Sequence, residues 1–185
     1  MASRKIVVRK SSKSAARGRA ATRIARTISA KRGAAKDRER RTKTEGAIRG
    51  GNGKYQFALA QVKDVPAGTG YSTSHGGVVE GERMLVGYIH KERGTGSRMH
   101  THQNEQFNLV VRGTLVGSVN GRKIKAPAGT LIYIPANAPH TLVADPKDKN
   151  VIFIAIKDLS QGIIGKAVDG KMTGPLYQKG FGPRD

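Results

Sequence analysis

Cysteine and tryptophan are both absent from the 185 residues. The missing thiols exclude a disulfide framework, a thiolate metal site and a cysteine nucleophile, so any metal must be held by nitrogen and oxygen ligands. Aromatic residues are scarce, four Phe and five Tyr, and none precedes Tyr55. No uninterrupted apolar run approaches the roughly 20 residues needed to cross a bilayer, and no apolar secretory core follows the first charges. The expectation is a soluble cytoplasmic protein with no membrane partner. Acids are also few, 13 against 34 Lys and Arg, which gives a formal net charge of +21.

That charge is concentrated. Residues 1–54 hold 18 Lys and Arg against three acids, Asp37, Glu39 and Glu45, a net of +15; residues 55–185 carry only +6. A basic stretch without aromatics cannot bury enough apolar surface to offset its ordering entropy, so in isolation it is expected to be disordered. Good helix formers over residues 14–41, with Ile24 and Ile28 four apart, allow a basic helix to form on an anionic partner. Residues 1–50 therefore read as a tail, joined through the Gly-rich segment 46–54 to one domain, residues 51–185.

Past Tyr55 the texture changes to short apolar or alternating runs between turn residues, the pattern of an all-β domain. Runs at 55–62, 83–90, 106–111, 113–119, 130–134, 140–144 and 150–156 are predicted strands, and Asn120-Gly121 is a strong hairpin signal. Residues 160–185, with apolar positions scattered among Gly and Lys, either close one end of the domain or pack on a second subunit.

Two motifs carry the chemistry, GTGSRMHTHQNEQFNLVVRG at 94–113 and GTLIYIPANAPHTLVA at 129–144. Side chains two apart on a strand share a face, so His100 and His102 point the same way; in a regular strand Gln106 joins them and Glu105 faces away. His140 must then arrive from another strand, as a closed barrel or jelly roll allows. His75 and His90 fit neither motif and read as surface or strand-end residues. Arg98, Tyr88, Asn108 and Tyr133 lie on or beside the motif strands and are candidates for pocket walls.

The spacings of Gly94, His100, His102 and Gly113, then Gly129, Pro135 and His140, resemble the two motifs of the cupin family. Asn137 stands where that pattern has Gly, Ala144 where it has Asn, and Gln106 where it commonly has Glu. The resemblance implies a cupin jelly-roll β-barrel, motif core 94–144, behind a disordered or helical basic tail. It also implies a homodimer and one divalent metal ion (Mn, Fe, Ni or Zn) on His100, His102, Gln106 and His140. A neutral glutamine oxygen leaves the ion's charge undiminished, which weakens its retention and strengthens its pull on an oxygen-bearing substrate. A three-His, one-Gln set is similar to that of some cupin lyases and isomerases, so Lewis-acid chemistry on a small molecule is expected. The alternatives are an iron-dependent dioxygenase, or a non-catalytic scaffold or sensor tethered to nucleic acid or a ribonucleoprotein by residues 1–50. The tail also admits a reading as an organellar transit peptide, since its first 36 residues lack acids and are rich in Arg, Ser and Ala.

Overall fold

The computed structural model describes Arg23, Arg26, Thr27, residues 41–171 and residues 173–183. The chain divides into two units, Met1–Arg41 and Thr42–Asp185. In the first, Arg23, Arg26 and Thr27 are helical, and the Thr27 hydroxyl donates to the Arg23 carbonyl at 2.9 Å. The rest of the basic helix expected over 14–41 lies outside the described residues. Among the described residues no helix is long and apolar enough to cross a membrane.

The second unit is all-β, as the run pattern requires. Its strands are β1 (Ile48–Arg49), β2 (Asp64–Pro66), β3 (His75–Glu80), β4 (Met84–Lys91), β5 (Thr95–Gly96), β6 (His100–Thr101) and β7 (Gln106–Arg112). They continue as β8 (Thr114–Val119), β9 (Arg122–Pro127), β10 (Leu131–Ile134), β11 (His140–Ala144), β12 (Val151–Asp158), β13 (Lys166–Ala167) and β14 (Leu176–Tyr177). One sheet runs β1-β3-β4-β12-β7-β10 with β2 on β3; the other runs β13-β6-β11-β5-β14 with β8 on β11 and β9 on β8. Only β1 and β3 pair in parallel among these strands. Leu85, Ile89, Val110 and Phe153 from the first sheet and Leu115 and Leu142 from the second belong to one buried cluster. The two inner faces therefore pack on each other as a double-sheet jelly roll.

Strict alternation explains the central strands. In β12, Val151, Phe153, Ala155 and Lys157 are buried while the residues between them are half-buried; β4 alternates in the same way, ending on buried Lys91. The hairpin signal is realised between β8 and β9, where Asn120 and Gly121 take φ of 48° and 75°. Two consecutive positive φ values match the twist of the flanking strands, which is why Asn-Gly is favoured there.

Two segments differ from the sequence expectation. The run 55–62 forms no strand: Leu59–Gln61 is a 3-10 turn, and Tyr55 is 82% exposed. β3, whose Gly76-Gly77 pair reads as a break in the sequence, pairs instead with β4 on one side and with β1 and β2 on the other. A Cβ on Gly77 would stand 2.6 Å from the Leu59 carbonyl, so the glycine is what lets the 3-10 turn lie flat on the strand. Residues 42–50 are not merely a connector. The main-chain N–H groups of Lys43 and Thr44 donate to the fully buried Glu80 carboxylate at 2.7 and 2.8 Å, and β1 pairs with β3.

The C-terminal segment closes the domain from the other side. β13 pairs with β6, β14 pairs with β5, and buried Ile163 donates its N–H to the Thr44 hydroxyl at 3.0 Å. Glu80 thus holds Thr44, and Thr44 holds Ile163. Glu80→Ala strands two donors that lost their water on folding, at a cost of about 2 kcal/mol. The expected outcome in urea unfolding is a lower midpoint with an unchanged denaturant slope.

Candidate metal centre

His100 in β6 lies directly opposite His140 in β11. Directly opposed residues of an antiparallel pair share a face, and the two rings sit 4.0 Å apart, centroid to centroid. His102 leaves the end of β6, its ring 4.8 Å from that of His140 and 6.0 Å from that of His100. One ring nitrogen from each of the three lies within 4.8 Å of the others. Two nitrogens bound about 2.1 Å from one ion are at most about 4.2 Å apart, so shifts of under about 1 Å let an ion collect all three.

The backbone fixes which nitrogen each imidazole offers. His100 Nδ1 meets the Arg98 carbonyl at 2.8 Å, His102 Nδ1 the Asn104 carbonyl at 2.9 Å, and His140 Nδ1 the Ala138 carbonyl at 2.9 Å. A carbonyl only accepts, so each Nδ1 carries the proton and each Nε2 keeps its lone pair. His102 Nε2 is buried with no hydrogen-bond partner. Buried acceptors are nearly always satisfied, and a cation is the partner this lone pair fits.

Burial keeps these rings neutral. It is the main cause that lowers His100 to about 2, His102 to about 3 and His140 to about 4, with His140 adding to the effect on His100 and the Lys157 charge to that on His102. Neutral imidazole is the form that ligates a metal.

The two motifs are stitched together locally. Asn137 takes φ of 61°, the positive value that its glycine-like position requires, and its N–H donates to the His102 carbonyl at 2.8 Å. Asn104 donates to the carbonyls of Asp158 and Gln161 at 2.6 and 2.8 Å, which anchors the loop between His102 and Gln106.

Gln106 reaches this region by a route other than strand parity. The chain leaves the second sheet after Thr101 and enters the first at Gln106, which pairs with Ile134 and Lys157. His100 and Gln106 thus face each other because their two sheets do, and the regular strand expected from 100 to 106 is broken. Gln106 is buried and its Nε2 donates to Asn108 Oδ1 at 2.6 Å, which leaves its Oε1 as the free acceptor. It approaches His102 closely enough to oppose that ring's lowered pKa, though short of hydrogen-bond geometry.

A cavity of about 50 Å³ opens beside the cluster, walled by His100, Gln106, His140, Tyr71, Lys91 and Lys157. Burial lowers both lysines to about 7 and raises Tyr71 to about 12. The Tyr71 ring lies 4.5 Å from that of His100, and its hydroxyl accepts the Gly165 N–H at 2.7 Å. Of the four candidate wall residues, Asn108 lines the cavity; Tyr133 is exposed, Tyr88 stands beside His90 and Arg98 donates to the Gly174 carbonyl. His75 and His90 stack across β3 and β4 at 5.6 Å, away from this wall, and Glu105 is exposed.

Sequence reasoning missed Tyr71, Lys91 and Lys157. The lysines share strand parity with Leu85 and Ile89 or with Val151 and Phe153. That signal was present, but Val86 or Ile152, Ile154 and Ile156 make the opposite face equally apolar, so periodicity could not choose the inner one.

The lowered pKa values give a pH dependence for the metal-free protein. A base whose folded pKa lies below its unfolded one makes the unfolded chain bind more protons, so stability rises with pH between the two values. The histidines act from their lowered values of about 2, 3 and 4 up to their ordinary 6.5, and the lysines between about 7 and 10.5. Stability is therefore expected to climb from about pH 5 to pH 9 in urea titrations. A maximum near pH 5 would contradict the buried neutral state.

A family model described as the cupin domain matches residues 87–157. No curated protein matches the sequence. Among solved structures, an RmlC-like cupin from Shewanella frigidimarina is 20% identical, with 56% of this chain and 88% of that one covered and a TM-score of 0.46. The polyketide cyclase RemF from Streptomyces resistomycificus is 18% identical over 56% of this chain and 78% of its own, TM-score 0.49. A cupin protein from Bacteroides fragilis is 24% identical over 41% of this chain, TM-score 0.38, and the match spans 65% of its length, just under two thirds.

Proposed function

We propose that the second unit, whose residues 87–157 match the cupin domain, binds one divalent metal ion through the Nε2 atoms of His100, His102 and His140 and the Oε1 of Gln106. The observation that carries this reading is the orientation of the three rings. Each Nδ1 is tied to a carbonyl, and the unpartnered, buried Nε2 of His102 lies in the same cluster as ring nitrogens of His100 and His140.

A divalent ion held by these residues would supply Lewis acidity toward an oxygen-bearing small molecule in the adjoining cavity. The chain's own residues do the rest. The carbonyl bonds hold the imidazoles in their ligating tautomer. Asn108 holds the Gln106 amide so that its oxygen, not its NH₂, is free. Ile89, Leu142, Phe153 and Ile163 line the same cavity, and their apolar surface lowers the local dielectric, which strengthens electrostatic contacts beside it. Lyase or isomerase chemistry follows from a ligand set with no charge of its own. With iron the same site serves O₂ activation, and metal analysis separates the two. Purified protein is expected to hold close to one ion per chain, lost in His100→Ala. Gln106→Glu is expected to tighten metal binding by roughly tenfold while lowering turnover; a metal-free wild type of unchanged activity contradicts the reading.

A second reading concerns residues 1–41 and stands beside the first, because it uses a different part of the chain. The +13 carried by residues 1–41, 15 Lys and Arg against two acids and without aromatics for base stacking, favours phosphate-backbone contact with nucleic acid or a ribonucleoprotein over readout of bases. Binding to mixed-sequence RNA or DNA is expected to fall steeply between about 50 and 200 mM salt and to vanish when residues 1–41 are deleted. Equal binding by the shortened chain contradicts it.

A further inference from the structure

Lys91 and Lys157 are 3% and 4% exposed, and both project from the inner face of the first sheet into the cavity beside the histidines. They stand at opposite ends of the β4–β12 pair, Lys91 across from Val151 and Lys157 across from Leu85. His100 and His140 line the same cavity; the charge of Lys91 acts on His100 and His140, and that of Lys157 on His102 and His140. Lys157 is also the cross-strand neighbour of Gln106.

Each lysine is only partly satisfied by the protein. An ammonium has three N–H donors; Lys91 donates one, to the Leu142 carbonyl at 2.7 Å, and lies 5.8 Å from the Phe153 ring centroid, while Lys157 donates one, to the Ile163 carbonyl at 3.5 Å. Among the described residues neither has a carboxylate within 4.0 Å, and no Asp or Glu lines the cavity. A buried ammonium with no carboxylate in contact is unfavourable, and an anion beside it stabilises the charged form; Asp158 acts on Lys157 only from beyond ion-pair distance. Two such amines beside imidazoles and an amide, none of which carries negative charge, make a pocket suited to an anion.

We propose that the cavity binds a small carboxylate, with Lys91 and Lys157 flanking the histidine cluster and selecting an anionic ligand over a neutral one of the same shape. This rests on the cavity being the substrate site of the metal centre proposed above. Size and shape narrow the class. A cavity of about 50 Å³ suits a small ligand. Two separate amine donors suit the two oxygens of a planar carboxylate. A tetrahedral phosphate is typically held by a ring of backbone N–H groups at a nest or helix N-terminus.

The test uses the full-length protein, as purified and after stripping with a chelator, titrated at constant ionic strength with ¹³C-acetate, acetamide and inorganic phosphate. Binding is read by NMR line broadening and thermal shift. The stripped protein is expected to bind acetate at least about tenfold more tightly than acetamide or phosphate. Lys91→Met and Lys157→Met, which keep the apolar stem, are each expected to weaken acetate by about tenfold or more while remaining folded. The acetate-acetamide comparison needs no variant and stands even where a variant fails to fold. Equal binding of acetate and acetamide, tighter phosphate, or acetate binding that survives both substitutions and so belongs to the basic tail, each overturns the proposal. Metal analysis of the wild-type protein separates the two readings: lysine-dependent acetate binding by a wild type that takes up no metal leaves this inference standing while the metal reading falls, and metal uptake without lysine-dependent binding does the reverse.

Discussion

Three imidazoles can share one buried spot only when all three are neutral and all present the same kind of atom to one another. In this domain both conditions come from the backbone. Carbonyls of Arg98, Asn104 and Ala138 take the Nδ1 protons, and burial keeps the second proton off. Each carbonyl lies two residues from its histidine, so the arrangement is local in sequence and stiff. The pairing of His100 with His140 then brings two such units face to face, and the contact of Asn137 with the His102 carbonyl locks the third. A slip of one residue in that pairing would turn one ring to the opposite side of the sheet.

The remainder of the fold is arranged around this cluster as a division between the sheets. The second sheet and the loop leaving it bring the histidines; the first brings Gln106, Asn108, Lys91 and Lys157. Closure depends on both flanks of the domain. Glu80 holds the segment at Lys43 and Thr44, Thr44 holds Ile163, and Ile163 lines the cavity. A buried carboxylate at the far end of β3 thus supports the site without belonging to it.

Charge is used in two unlike ways along the chain. In the first 54 residues it is dense, and its expected effect, a salt-sensitive attraction to anions, needs no particular fold. In the domain two lysines matter because they are buried. The low-dielectric interior that makes them costly also makes them selective, since a charge-assisted hydrogen bond gains most where water is excluded.

The sequence by itself was enough to determine the all-β class, the Asn120-Gly121 hairpin and the identity of the three histidines. Those features rest on local rules: strand alternation, turn geometry and the spacing of ligating residues. It also separated the basic stretch from the domain by composition alone. Other features were decided only by the tertiary structure. Run 55–62 lost its strand to a 3-10 turn because Gly77 lets that turn lie against β3, and residues 42–50 joined the domain because Glu80 accepts their N–H groups. Gln106 faces His100 across two sheets, although strand parity suggested one. Lys91 and Lys157 were invisible as site residues because strands apolar on both faces do not declare which face is inner. Only the packing of one sheet against the other makes that choice, and with it decides which charges are buried.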